Sequence, residues 1–240
     1  AIDERAFLAQ ITLPPTRRVV QGSDLTAAKE TVVQHFRNRA QPMFCFDPLD
    51  VQTLAASVDD ADKEHTIARA DEVCHHVFRF RGEPAVTFNE SVDWFHCPQG
   101  NLDWTWELNR HAYFVTLGRA YVYTGDERYV HEFRNLLLDW LGRNPVGVDK
   151  PNWTSVLEVA YRINVWLWAY HYFLATPTFD DEALLATLRG LWIHGRYLAA
   201  NLEYDVRNNH LLLESKALAT CGLLFPEFRE ARHCPGFELS

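Results

Sequence analysis

The chain has 240 residues, 48% of them hydrophobic, 13% aromatic and 23% charged, with a formal net charge of -9. A 27.8 kDa polypeptide hides roughly 29,000 Å² of extended-chain surface on folding, and eight tryptophans exclude the apolar-poor composition of a disordered chain. The acidic balance opposes non-specific binding to nucleic acid, and the most apolar stretch, Val165 to Ala175, is too short to span a membrane.

Up to about Phe80 the helical pattern is broken. Asp24 to Ala40 places Leu25, Ala28, Val32 and Phe36 on one stripe, and Ala61 to Phe80 does the same with Ile67, Val73 and Val77, with Pro42 and Pro48 between them. Residues 81–101 carry Pro84, Pro98 and Gly100 and no helical period. The pattern then becomes regular. Trp104, Leu108, Val115 and Val122 predict one helix ending at Gly125, with Asp126 opening the next. That next helix carries Tyr129, Phe133, Leu136, Leu137, Trp140 and Leu141 and stops at Asn144-Pro145. Ser155 with Glu158 reads as a capping box for a third helix (Val159, Ile163, Trp166, Tyr170, Phe173) that Pro177 closes. Asp180 or Asp181 opens a fourth, and Asn208 or Asn209 opens a fifth that ends near Phe225-Pro226.

The helices alternate in character about every 50 residues. The first of each pair carries polar residues: Glu107, Asn109 and Arg110, then Glu158, Arg162 and Asn164, then Asn208, Asn209, His210, Glu214 and Lys216. The second of each pair is plainly amphipathic. Helical hairpins repeated in this way must stack to bury both faces, which leaves a closed α/α toroid or an open solenoid. Leu117 to Phe133 is similar to a tetratricopeptide turn, but the repeat exceeds the 34 residues of that motif. The predicted fold is all-α, an incomplete (α/α) toroid of helical hairpins over residues 86–240, with a helical lead-in over 1–85.

Five cysteines (Cys45, Cys74, Cys97, Cys221 and Cys234) are scattered without a Cys-x-x-Cys pair. The dyads His75-His76, His96-Cys97 and His233-Cys234 lack second pairs at metal-binding spacing, so no metal ligands and no cofactor are predicted. Glycine-rich phosphate loops and serine-hydrolase elbows are missing as well.

If the first helices form an inner layer, their polar N-terminal residues meet at one rim, where free N–H groups and the helix dipole favour anions. Asn208, Asn209 and His210 stand at such a start, with Glu214 one turn on. Structurally they read as an N-cap and an i,i+4 pair; functionally, as an amide donor beside an imidazole. Arg162 with Glu158 is likewise either an i,i+4 pair or a substrate clamp. Trp104, Trp106 and Trp153 are either core residues or aromatic platforms for sugar rings. Glu107, Glu158 and Glu214 recur at related positions and leave a toroidal glycoside hydrolase open as a further alternative.

Several ordered segments carry a family resemblance. They are Trp106-Glu107-Leu108-Asn109-Arg110-His111, the turn Thr124-Gly125-Asp126-Glu127, Trp153-Thr154-Ser155-Val156-Leu157-Glu158 continuing to Arg162, Asn208-Asn209-His210-Leu211, and Gly222 through Glu227. Together they resemble the N-terminal helical part of the heparinase II/III family of polysaccharide lyases, and are also similar to oligoalginate lyases. The resemblance implies a toroid followed, in full-length relatives, by a β-sandwich, and β-elimination on a uronate-containing acidic polysaccharide such as heparan sulfate or alginate.

By the family pattern Asn209 and His210 are the catalytic residues, Asn209 meeting the uronate carboxylate. Asn208, Trp153, Arg162, Glu158, Arg110 and Trp106 are the expected substrate contacts. The family's tyrosine base lies downstream of the Asn-His segment; here no tyrosine follows His210, and Tyr204 precedes it. A non-catalytic glycan-binding or helical-repeat module is therefore the alternative. Such substrates imply a periplasmic or secreted protein, although no signal peptide is visible. A last inner helix without a successor predicts an apolar flank near Leu211 to Phe225, and self-association through it.

Overall fold

The computed structural model describes residues 3–13, 18–19, 24–80, 82–147, 151–205 and 209–233. Its helices are α1 (Glu4–Leu8), α2 (Leu25–Asn38), α3 (Asp60–Cys74), α4 (Leu102–Arg110), α5 (Tyr113–Thr124), α6 (Arg128–Arg143), α7 (Pro151–Thr154), α8 (Val156–Phe173), α9 (Asp181–Ala200) and α10 (His210–Leu224). Two short antiparallel ladders, Thr12–Leu13 with Arg18–Val19 and Val77–Phe78 with Val86–Thr87, are the strand pairs among the described residues. None of the helices is long and apolar enough to cross a membrane.

Local chemistry sets most of the helix ends. The Asp24 carboxylate accepts from the N–H groups of Thr26 and Ala27, Asp59 from Asp62, and Asp180 from Ala183. Gly125 ends α5 in the left-handed region at φ 68°, and Asp126 accepts from the Arg128 N–H to open α6.

Two sequence expectations fail in informative ways. The single helix expected through Trp104 and Val122 breaks at His111, which takes φ 62° and enters the core with no exposed surface, where its Nδ1 accepts from Trp166 Nε1 at 2.9 Å. The second expected helix, to Phe80, ends at Cys74, because His76 turns the chain at φ 53° into the short ladder at Val77.

Helices α5 and α6 form one hairpin and α8 and α9 the next. Helix α8 packs between α5 and α10, and α9 lies against α6, so two layers of helices stack side by side. The close approaches need glycine: a Cβ at Gly118 on α5 would run into the Tyr172 ring, and one at Gly190 on α9 would meet Trp166 Cζ3 at 2.5 Å. One continuous core, from Phe7 to Phe228, runs through residues 1–85 and 86–240 alike. His35 on α2 and Arg39 just after it both bond Glu227, at 2.7 and 2.8 Å, and so join α2 to the segment after α10.

Candidate functional site

With α9 running back between them, α8 and α10 point the same way, so their N-termini share one end of the layer. The Tyr197 hydroxyl near the end of α9 donates to the Trp153 carbonyl just before α8, which fixes that end. The predicted site residues lie there in three clusters.

The first cluster is electrostatic. Arg110, at the end of α4, donates from Nε and Nη2 to both oxygens of Glu158 at 2.6 and 2.9 Å, and from Nη1 to Glu107. Its guanidinium lies 4.5 Å from the Tyr161 ring centre. Burial works against the Arg110 charge, but the hydrogen bond and charge of Glu158 outweigh it and hold its pKa above the ordinary arginine value. Glu158 is 1% exposed and Glu107 is half-buried. The capping box expected from Ser155 and Glu158 does not form: Ser155 makes no side-chain cap bond, and the Glu158 carboxylate is committed to Arg110. Trp106 is half-buried on the same helix as Arg110, with an indole N–H that finds no partner.

The second cluster is interior. Arg162 is completely buried and does not pair with Glu158 one turn earlier. It donates instead to His194 Nε2 at 3.0 Å and to the carbonyls of Asn109 and Asn152, with its guanidinium 4.9 and 5.3 Å from the ring centres of Trp140 and Trp153. Because Arg162 donates to Nε2, His194 must carry its proton on Nδ1, which donates to the Gly190 carbonyl at 2.7 Å. Burial first, and the Arg162 charge second, push the pKa values of His194 and His111 well below the ordinary histidine value. Burial also lowers Arg162, to about 9. Trp153 is 1% exposed and Trp104 likewise. Trp153 and Arg162, predicted as substrate contacts, thus have almost no exposed surface, and Arg162 ties α7 to α8 through the Asn152 carbonyl.

The third cluster stands at the start of α10. Asn208 lies outside the described residues. Asn209 occupies the N-cap position but with helical backbone angles (φ -72°, ψ -5°) and no side-chain cap bond, so the expected capping role is not realised and its amide is exposed. His210 Nδ1 meets Glu203 Oε2 at 2.6 Å, and the Glu203 N–H donates to Glu214 Oε2 at 3.0 Å. Glu214 has no exposed surface and its Oε1 has no hydrogen-bond partner. Burial, reinforced by the neighbouring Glu203 carboxyl, raises its pKa above the usual carboxylate range. In the neutral ring, a proton on Nδ1 facing Glu203 leaves Nε2 as an acceptor; the protonated ring donates from both nitrogens. The cluster can therefore take up a proton or face a carboxylate.

Sequence reasoning missed Glu203, seven residues before His210 in a loop with no periodicity, and it missed Asn152 and His194, which satisfy Arg162 from separate segments.

A family model described as Heparinase II/III N-terminus matches residues 7–235. A heparin-sulfate lyase of Bacteroides stercoris is 31% identical over 232 residues, covering 88% of this chain and 33% of its own length. A heparin-sulfate lyase of Pedobacter heparinus is 24% identical, covering 91% and 33%. Among solved structures, a heparinase III with methylated lysines superposes with a TM-score of 0.80 at 24% identity over 97% of this chain and 38% of that one. The heparan sulfate lyase HepC from Pedobacter heparinus superposes at 0.77 and 22%, over 95% and 37%. Those structural likenesses establish the fold, and the chain spans about a third of the length of the curated relatives it matches.

Proposed function

Since the chain belongs to the heparinase II/III family, we propose that it supplies the carboxylate-neutralising part of a polysaccharide lyase acting by β-elimination on a uronate-containing polysaccharide, heparan sulfate first and alginate second. The observation that carries this reading is the Asn209 amide, exposed at a helix start and not spent as a cap, directly beside an imidazole oriented by Glu203.

In such an elimination a base removes the C5 proton, the electron pair forms the C4–C5 double bond, the C4–O bond breaks, and the leaving oxygen takes a proton. The carboxylate on C5 resists the build-up of further negative charge, so a donor placed on it stabilises the enolate-like intermediate. Asn209 is a neutral donor for that carboxylate, the N-terminal dipole of α10 adds to it, and His210 shares the contact or relays a proton. Arg110 and Glu107, both partly exposed, are the polar groups of the α8 end open to further sugar contacts. No tyrosine stands between His210 and Ser240, so in this reading the proton is taken by a group other than a tyrosine of residues 211–240. This class of substrate points to a periplasmic or secreted protein.

The test is to incubate the chain, and a version extended to the length of its relatives, with heparan sulfate and with alginate, following the ultraviolet absorbance of unsaturated uronate. Growth of that absorbance, lost in Asn209→Ala, supports the lyase. New reducing ends without the absorbance mean hydrolysis and overturn it. The same exposed amide would also serve a glycan-binding module, the second reading, for which calorimetry would record oligosaccharide binding with no turnover.

A further inference from the structure

We propose that Glu203, His210 and Glu214 form a binding site for a first-row divalent cation such as zinc or manganese, joining the segment before α10 to the first turns of that helix. The inference rests on geometry and donor chemistry and is independent of the lyase reading.

Three potential ligands, one imidazole nitrogen and two carboxylate oxygens, come within 4.8 Å of one another. A mixed nitrogen and oxygen set suits zinc or manganese; calcium and magnesium prefer oxygen alone. The spacing along the chain is right for a clasp: His210 and Glu214 are four residues apart on one face of α10, and Glu203 comes from the loop that the Glu203 N–H already holds against Glu214.

Glu214 adds an independent reason. Its carboxyl is fully buried, one oxygen accepts from the Glu203 N–H, and the other, Oε1, has no partner. A buried acceptor left unsatisfied forfeits its hydration without replacement, and a second carboxylate beside it adds repulsion. A dication removes both penalties at once. With the ion on His210 Nδ1, the neutral ring must carry its proton on Nε2 and becomes a donor, so the ion would add positive charge beside Asn209 and fix the ring's tautomer.

The experiment is isothermal titration of the chelator-treated chain with zinc chloride and, separately, with manganese chloride at pH 7.5, alongside thermal melting with and without each ion. One ion per chain is expected to saturate the site and raise the melting temperature. Glu203→Gln, at a half-buried loop position, and His210→Ala should each weaken binding by about tenfold or more. Glu214→Gln should do the same, and the other two variants keep the test decisive should its buried position impair folding. The proposal is overturned if neither ion shows saturable binding, or if binding survives unchanged in Glu203→Gln and His210→Ala, which would place the ion on other ligands.

Discussion

Glu158 is bonded through both carboxylate oxygens to Arg110, 48 residues away on another helix, and not to Arg162, its i,i+4 neighbour on α8. The fork-to-fork pairing leaves Glu158 almost without solvent and makes Arg110 the bridge between α4 and α8.

Removing that bridge exposes the cost of the burial. Arg110→Ala leaves the Glu158 carboxylate uncompensated and should destabilise the fold by about 3 kcal/mol, while Arg110→Lys, which keeps the charge but loses the fork, should cost about 1 kcal/mol. Urea denaturation of the three proteins measures the order; equal stability of Ala and Lys variants would show that the fork contributes nothing beyond charge.

Asn209→Ala separates function from folding. The amide is exposed and makes no cap bond, so stability should change by less than about 0.5 kcal/mol, whereas a true N-cap would cost about 1 kcal/mol. Oligosaccharide binding, or turnover in the extended protein, should fall at least about tenfold, because a donor to a charged carboxylate is worth about 1.5–3 kcal/mol. Loss of stability with binding intact would assign Asn209 to the helix end alone.

Two glycines on α9 should respond in opposite directions. Gly190→Ala drives a methyl into the Trp166 ring and should cost about 1–3 kcal/mol, whereas Gly195 faces open space and Gly195→Ala should stabilise by about 0.5–1 kcal/mol through helix propensity. Thermal melts of the two variants suffice, and equal shifts would contradict the close α8–α9 crossing.

Acid should unfold the protein through its buried imidazoles. Burial lowers the folded pKa of His171 to about 4, and those of His111 and His194 well below 6.5, so the unfolded chain binds more protons at acid pH. Their contribution is complete above pH 6.5 and is lost progressively as pH falls below it. Glu132, raised by burial to about 7, acts in reverse between about 4.5 and 7, and the buried Glu214 acts in the same reverse sense, but two carboxyls oppose three imidazoles. Stability measured by denaturant at pH 7.5, 6.5, 5.5 and 4.5 should therefore fall toward acid; a flat or rising profile would show that these histidines take up protons in the folded state.

The outer stripe of α10 should permit weak self-association. Leu212 and Leu223 are 72% and 54% exposed and, eleven residues apart, lie on nearly the same side of the helix. Sedimentation should show concentration-dependent association, relieved in Leu212→Glu/Leu223→Glu; a monomer at every concentration would assign the stripe to solvent.

Much of the fold was legible because its signals are local. Gly125, Asp180 and Pro145 mark helix ends through backbone angle, capping carboxylate and missing N–H, each acting within a few residues. The break at His111 was not legible: apolar spacing continues across it, and only the packing of its ring against Trp166 and Phe114 holds a histidine at positive φ. In the candidate site, Asn209 and His210 were legible as an unusual helix start, while Glu203 carried no signal.

By itself, then, the sequence determined most of the longer helices, their pairing into hairpins and the polar character of one end of the inner layer, since periodicity and caps are properties of neighbouring residues. Only the tertiary structure decided which charges meet. A guanidinium at Arg162 satisfies the i,i+4 rule with Glu158 equally well on paper. In the folded protein it turns inward to His194 and the Asn109 and Asn152 carbonyls, because burial makes every unpaired donor costly and those acceptors converge from three separate segments.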